Sequence, residues 1–90
     1  MGYSVNLFTL DGCSHCKILK EELKKQGITY DEFEVNKYKK IYDTVVEMTK
    51  VDALPMVYIQ DPETGSGPIF VAGRDFNTKE EAIEKIKKYL

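Results

Sequence analysis

The sequence predicts one α/β domain spanning residues 1–90, with a four-stranded mixed sheet and three helices in the order β-α-β-α-β-β-α. Three observations predict it. An apolar run, an amphipathic run and a second apolar run open the chain, the pattern of strand, crossover helix and parallel strand. Two further apolar runs flank a turn-rich stretch, as in an antiparallel hairpin. A capping signature then introduces a last helical stripe near the end. With 90 residues, 42% of them hydrophobic, one core is large enough to fold alone.

Each element has its own signal. In Ser4 to Thr9, Val5, Leu7 and Thr9 alternate with Asn6 and Phe8, and both faces are largely apolar, as in a strand covered on both sides. Cys16 to Gln26 reads as a helix with Ile18, Leu19 and Leu23 as its apolar stripe and Lys17, Lys20, Glu21, Lys24 and Lys25 toward solvent. Gly27 is placed to end it in a left-handed conformation. Ile28 to Val35 reads as the second strand, carrying Tyr30, Phe33 and Val35. Tyr38 to Thr49 reads as a helix on the spacing of Ile41, Val45 and Met48. Met56 to Ile59 is a short strand introduced by Leu54-Pro55, the run from Asp61 to Gly67 is a turn-rich loop, and Ile69 to Ala72 is the antiparallel return. Thr78-Lys79-Glu80-Glu81 matches a capping box, and Ile83, Ile86 and Leu90 continue the stripe of the last helix.

Composition narrows the function. Thirteen basic residues are interleaved with fifteen acidic ones for a net charge of −2, which gives no electrostatic case for nucleic acid or an anionic membrane as partner. No apolar run approaches the roughly 20 residues of a membrane helix. The opening Met1-Gly2-Tyr3-Ser4-Val5 lacks the basic and apolar regions of a signal peptide, so the expected location is a reducing cytoplasm. There a single cysteine pair is catalytic or metal-binding sooner than a structural staple.

That pair is Cys13-Ser14-His15-Cys16, which holds both cysteines and the one histidine of the chain. It lies between the first strand and the first helix. Two intervening residues bring the sulfurs together across the first helical turn, so a disulfide can close and reopen. The first sulfur sits at the helix N-terminus, where unpaired N–H groups and the dipole favour a thiolate, the reactive species. Cys13 is therefore the expected nucleophile and Cys16 the resolving thiol. His15, when protonated, favours the Cys13 thiolate, which makes the pair more oxidising. The expected potential is less negative than the roughly −270 mV of thioredoxin, nearer about −200 to −230 mV. Ser14 is a second tuning residue, able to hydrogen-bond near the Cys13 sulfur. Zinc is disfavoured, because two cysteines and one adjacent histidine do not converge on a tetrahedral ion.

The element order with this motif resembles the glutaredoxin branch of the thioredoxin superfamily over nearly the whole chain. Phe8 to Cys16 is similar to the family's active-site stretch. Lys17 stands where the family often has a basic residue, Leu54-Pro55 resembles its cis-proline site, and Ala72-Gly73-Arg74-Asp75 resembles its Gly-Gly-x-Asp turn. The resemblance implies a thioredoxin-like fold and a thiol–disulfide oxidoreductase that reduces protein disulfides or glutathione mixed disulfides. It implies no permanently bound cofactor, glutathione as co-substrate, and a monomer. Ribonucleotide reductase is an implied client. Lys17, Leu54, Pro55, Gly73, Arg74 and Asp75 are the implied substrate- and glutathione-binding residues, with Leu54 offering its backbone to an extended substrate. Tyr58 and Phe76 are further candidates to line a groove.

Three departures qualify the resemblance. Ser14-His15 replaces Pro-Tyr, Leu10 replaces a lysine that helps hold glutathione, and Ala72 replaces the first turn glycine. The lost lysine makes a thioredoxin-type reductase an alternative electron source. The lost motif proline admits an alternative function, a [2Fe–2S] cluster held between two protomers with two glutathiones, since one chain cannot supply four thiolate-type ligands.

Overall fold

The computed structural model describes residues 2–90. Its elements are β1 (Ser4–Thr9), α1 (Ser14–Lys25), β2 (Asp31–Glu34), α2 (Lys39–Thr49), β3 (Met56–Gln60), β4 (Ile69–Val71) and α3 (Lys79–Lys87). The strands form one sheet in the order β2-β1-β3-β4. β1 runs parallel to β2 with Phe8 opposite Phe33, and antiparallel to β3 with Leu7 opposite Val57. β3 and β4 pair antiparallel, as the turn-rich loop between them predicts. The mixed four-stranded sheet and its three helices match the order expected from sequence.

β1 is central, and alternation divides its side chains between two cores. Val5 and Leu7 pack with Leu19, Leu23, Val57, Ile59, Ile83 and Ile86, under α1 and α3. Phe8 packs on the opposite face with Tyr42, Val45, Met56 and Val71, under α2. Covering both faces is what a strand without a polar face requires.

The helix boundaries follow local chemistry. α1 starts two residues earlier than the apolar spacing indicates, because Cys13 itself is the N-cap and its sulfur accepts the Cys16 N–H. At its end, Ile28 N–H bonds to the Leu23 carbonyl at 2.9 Å and Gly27 N–H to that of Lys24 at 3.1 Å. This is a Schellman closure, and Gly27 takes the positive φ of 71° that it requires. α3 carries the full capping box between Thr78 and Glu81.

Three stripe assignments are corrected. On α1, Ile18 is 46% exposed, and the partly polar Glu22 takes the inward place instead. On α2, Ile41 and Met48 are exposed, and the helix buries Tyr42 and Val45. A tyrosine ring buries more area than isoleucine once its hydroxyl finds a partner, and Tyr42 donates its hydroxyl hydrogen bond to Asp52. On α3, Leu90 is exposed beyond the helix end, and Ala82 completes the stripe with Ile83 and Ile86. β2 is also shorter than expected: Ile28 is buried as part of the α1 closure, and pairing begins only at Asp31.

Candidate active site

The site is assembled where β1 delivers the chain into α1. After Thr9 the backbone turns, and Cys13 N–H bonds to the Leu10 carbonyl at 3.0 Å. Cys13 is half-buried with extended φ and ψ of −81° and 111°, as an N-cap requires. Its Sγ accepts the Cys16 N–H at 3.3 Å, and the Cys16 sulfur stands in direct contact with it. The two thiols are free and adjacent.

Cys16 differs in kind, being 1% exposed. Burial, reinforced by its contact with Cys13, pushes the Cys16 thiol up to about 12. The two cysteines are therefore asymmetric. One sulfur is reachable and accepts a backbone N–H, and the other is sheltered and holds its proton.

A carboxylate on β2 fixes the turn ahead of Cys13. Glu34 accepts the Asp11 N–H at 3.1 Å and the N–H groups of Asn36 and Lys37 at 2.9 and 3.2 Å. The Asp11 bond, first among these, holds its carboxyl below the usual carboxylate range. Glu34 thus ties the active-site turn to the β2–α2 turn. A second anchor lies beside it: Glu32 Oε2 accepts from the Thr9 hydroxyl at 2.8 Å and from Lys20 Nζ at 3.0 Å.

Two depressions flank the first turns of α1, and the thiols open on the second of them. A groove of about 310 Å³ is lined by His15 and Ile18 of α1, by Leu54 and Pro55, and by Gly73 and Phe76. A basin of about 460 Å³ opens on the other side, lined by Leu10, Cys13, Cys16, Lys17 and Lys20. The Leu54–Pro55 bond is cis, and Pro55 is buried with its carbonyl accepting the Ala72 N–H at 3.2 Å. Leu54 takes no backbone hydrogen bond in a turn or loop among the described residues.

The sequence-predicted residues divide among these places. His15, Leu54, Pro55 and Gly73 meet in the groove, and Cys13, Ser14, Cys16 and Lys17 line the basin. Arg74 and Asp75 serve the β4–α3 turn. Asp75 Oδ2 accepts the Val71 N–H at 2.7 Å and Arg74 Nε at 2.9 Å, and Arg74 Nη2 bonds to the Ile69 carbonyl at 3.0 Å. Phe76 lines the groove, whereas Tyr58 donates to the Gly65 carbonyl in the hairpin loop. Lys20, read from sequence as a solvent-side lysine, is half-buried and paired with Glu32. Sequence reading missed Thr9, Glu32 and Glu34 as supports, and Ile18 and Lys79 as groove walls. Among the described residues no group of three or more His, Cys, Asp or Glu side chains could hold a metal ion, and no helix is long and apolar enough to cross a membrane.

Comparison with known proteins follows the same lines. The sequence model of the family described as Glutaredoxin matches residues 5–62. The crystal structure of the thioredoxin-like protein BC3987 aligns with a TM-score of 0.65 at 24% identity, covering 97% of this chain and 100% of that one. A point variant of that protein aligns with a TM-score of 0.64 at 21% identity, over 94% and 96%. A malarial protein aligns with a TM-score of 0.60 at 19% identity, over 100% and 99%. At these identities the structural likeness shows the thioredoxin-like fold alone. No curated protein matches the chain.

Proposed function

The chain belongs to the glutaredoxin family, and from that premise we propose that it is a dithiol thiol–disulfide oxidoreductase acting through Cys13 and Cys16. One observation carries the reading. Cys13 Sγ is reachable at the mouth of α1 while accepting the N–H of a buried Cys16 whose sulfur lies against it. The Cys13 thiolate attacks a substrate disulfide, forming one S–S bond to Cys13 and releasing one substrate thiolate. Cys16, as its thiolate, then attacks Cys13 Sγ. The Cys13–Cys16 bond forms, the bond to substrate breaks, and the second substrate sulfur leaves as thiolate and takes a proton from solvent. The protein ends oxidised by two electrons, the substrate reduced by two.

The substrates are protein disulfides and glutathione mixed disulfides, with ribonucleotide reductase among the candidate clients and a reducing cytoplasm as the setting. Backbone at Leu54, next to the cis proline, is available to an extended substrate lying in the groove. Glutathione returns the electrons, resolving the pair in two exchanges. Leu10 in place of a lysine, with Lys17 lining the same basin, makes a thioredoxin-type reductase the competing donor. His15 on the groove wall tunes the potential toward the oxidising side.

The test is a redox equilibrium of the purified protein in glutathione buffers, with thiols trapped at each point and weighed by mass spectrometry. A Cys13–Cys16 disulfide in equilibrium near about −200 to −230 mV, with a glutathione adduct on Cys13 in the Cys16→Ser variant, is the expected result. Equilibration only through a thioredoxin-type reductase would move the electron source to that enzyme. Absence of any Cys13–Cys16 disulfide would overturn the dithiol reading.

A further inference from the structure

We propose that Lys20 is a positioning residue for the resolving step: its ammonium, anchored by Glu32, steadies the Cys16 sulfur as an anion while that sulfur attacks the mixed disulfide on Cys13. The inference rests on the dithiol exchange proposed above and concerns its second half.

The placement comes first. Cys16 and Lys20 are four residues apart on α1 and share a helix face. Both open on the basin that also holds Cys13. Lys17 lines the same basin but is adjacent to Cys16 in sequence, and neighbours in a helix do not face one another.

Anchoring comes second. A lysine on an exposed helix face ordinarily samples many rotamers. Here Nζ lies 3.0 Å from Glu32 Oε2 on β2, and the same oxygen accepts the hydroxyl of Thr9 at 2.8 Å. Thr9 is 2% exposed at the end of β1. The ammonium is therefore held to the sheet beside the thiols, with the entropy of ordering it offset by a partner that is itself fixed.

Need comes third. Cys16 is 1% exposed, so water contributes little to stabilising its anion, and a fixed cation at short range counts for more there than at the surface. The ionisable groups around Cys16 are few. Cys13 caps α1, Asp11 and Lys17 line the same basin, and Tyr42 stands on α2. Glu32 and Tyr30 stand behind Lys20. Burial and Cys13 oppose ionisation of Cys16; a backbone hydrogen bond at Leu10 favours it, and the Lys20 charge adds to that from the side-chain side. In the mixed disulfide Cys13 carries no charge, which leaves burial as the opposing influence, with the Leu10 backbone and Lys20 assisting, and Lys20 is the assisting side chain.

The experiment uses Ellman's reagent as the disulfide substrate of the fully reduced protein. Attack by Cys13 releases one thionitrobenzoate, and attack by Cys16 on the resulting mixed disulfide releases the second. Stopped-flow absorbance resolves the two releases, and the second is followed from pH 6 to 9. In Lys20→Gln the second release is expected to slow by about fivefold to tenfold at pH 7, with its pH profile displaced upward by up to about one unit. Lys20→Arg, which keeps the charge and the Glu32 pairing, restores the rate to within about twofold. A second release with the wild-type rate and pH profile in Lys20→Gln overturns the proposal. So does a loss in Lys20→Arg as large as in Lys20→Gln, which would make Lys20 a packing element only. If the wild-type protein itself releases a single thionitrobenzoate, the dithiol mechanism fails, whatever the variants do.

Discussion

The potential of this dithiol should keep falling with pH well into the alkaline range. Reducing the disulfide takes up two electrons, plus one proton for each sulfur that is protonated in the dithiol. For a two-electron couple, each such proton contributes about 30 mV per pH unit. Near neutrality at least Cys16 is protonated. An unshifted thiol with the ordinary value of 9.0 would stop contributing by about one unit above that value, and the potential would level off. In this structure burial, followed by the contact with Cys13, holds the Cys16 proton up to about 12. Between pH 9.5 and 11 the potential should therefore drop by a further ~40 mV, against less than ~10 mV for an unshifted pair. The assay equilibrates the protein with a dithiol couple of known ionisation at each pH and quantifies trapped thiols by mass. Stability carries the same signature. With its folded pKa raised, Cys16 binds more proton folded than unfolded between about pH 9 and 12. The reduced protein thus loses stability as pH rises through that window, by at most about 1.4 kcal/mol per unit. Cys16→Ser removes that part of the loss, leaving the part due to other groups such as Tyr42. A potential that is flat above pH 9.5 would refute the reasoning, since it requires both sulfurs to be ionised by then.

Four further outcomes follow from other parts of the molecule. His15→Tyr should shift the potential to more negative values by about 15–30 mV, measured in the same equilibrium; an unchanged potential removes His15 from the tuning role. Glu34→Gln should speed amide exchange at Asp11, Asn36 and Lys37, because an amide in place of the carboxylate loses acceptor capacity toward three backbone donors. With the Glu34 carboxyl held below its ordinary 4.5, wild-type stability should fall as pH drops through that depressed value, and the variant should lose that dependence. Thr78→Ala should cost about 1 kcal/mol in urea unfolding, the usual worth of an N-cap. Gly67→Ala should cost at least as much, since a Cβ there would stand 1.9 Å from the Ile59 carbonyl oxygen and force the β3–β4 hairpin apart; a variant as stable as wild type would mean the hairpin loop relaxes freely.

Much of this was legible in the sequence because it rests on local rules. The capping box of α3, Gly27 after α1 and the largely apolar faces of β1 each depend on neighbours within a few residues. The cysteine pair is legible for the same reason: its spacing is a property of one helical turn. What was not legible depends on contacts across the sheet. Glu34 reads as an ordinary acidic residue in a strand, and only the parallel register that sets Thr9 opposite Glu34 puts it beneath the active-site turn. Lys20 reads as a solvent-side lysine, because nothing in α1 announces that Glu32 will face it. Ile18 illustrates the reverse error. Counting apolar residues placed it in the core, yet Leu19, Leu23 and the packed-in Glu22 fill that face and leave Ile18 to the groove wall.

The two depressions give the helix between them a division of labour. α1 presents His15 and Ile18 to the groove, where the cis proline and the α3 entrance complete the wall. It presents Cys16, Lys17 and Lys20 to the basin. In the proposed reading a substrate in the groove meets the side of α1 that faces Leu54 and Phe76, while Cys13, Cys16 and Lys20 open on the basin. On that reading recognition and resolution fall on opposite sides of one helix, and each is open to change without the other. Replacing groove residues such as Ile18 or Phe76 should alter which disulfides are attacked, and so the first step. Replacing Lys20 should alter how fast any of them is released. If substitutions at Ile18 changed the second step as strongly as the first, the separation would fail, and the helix would have to be treated as a single coupled surface.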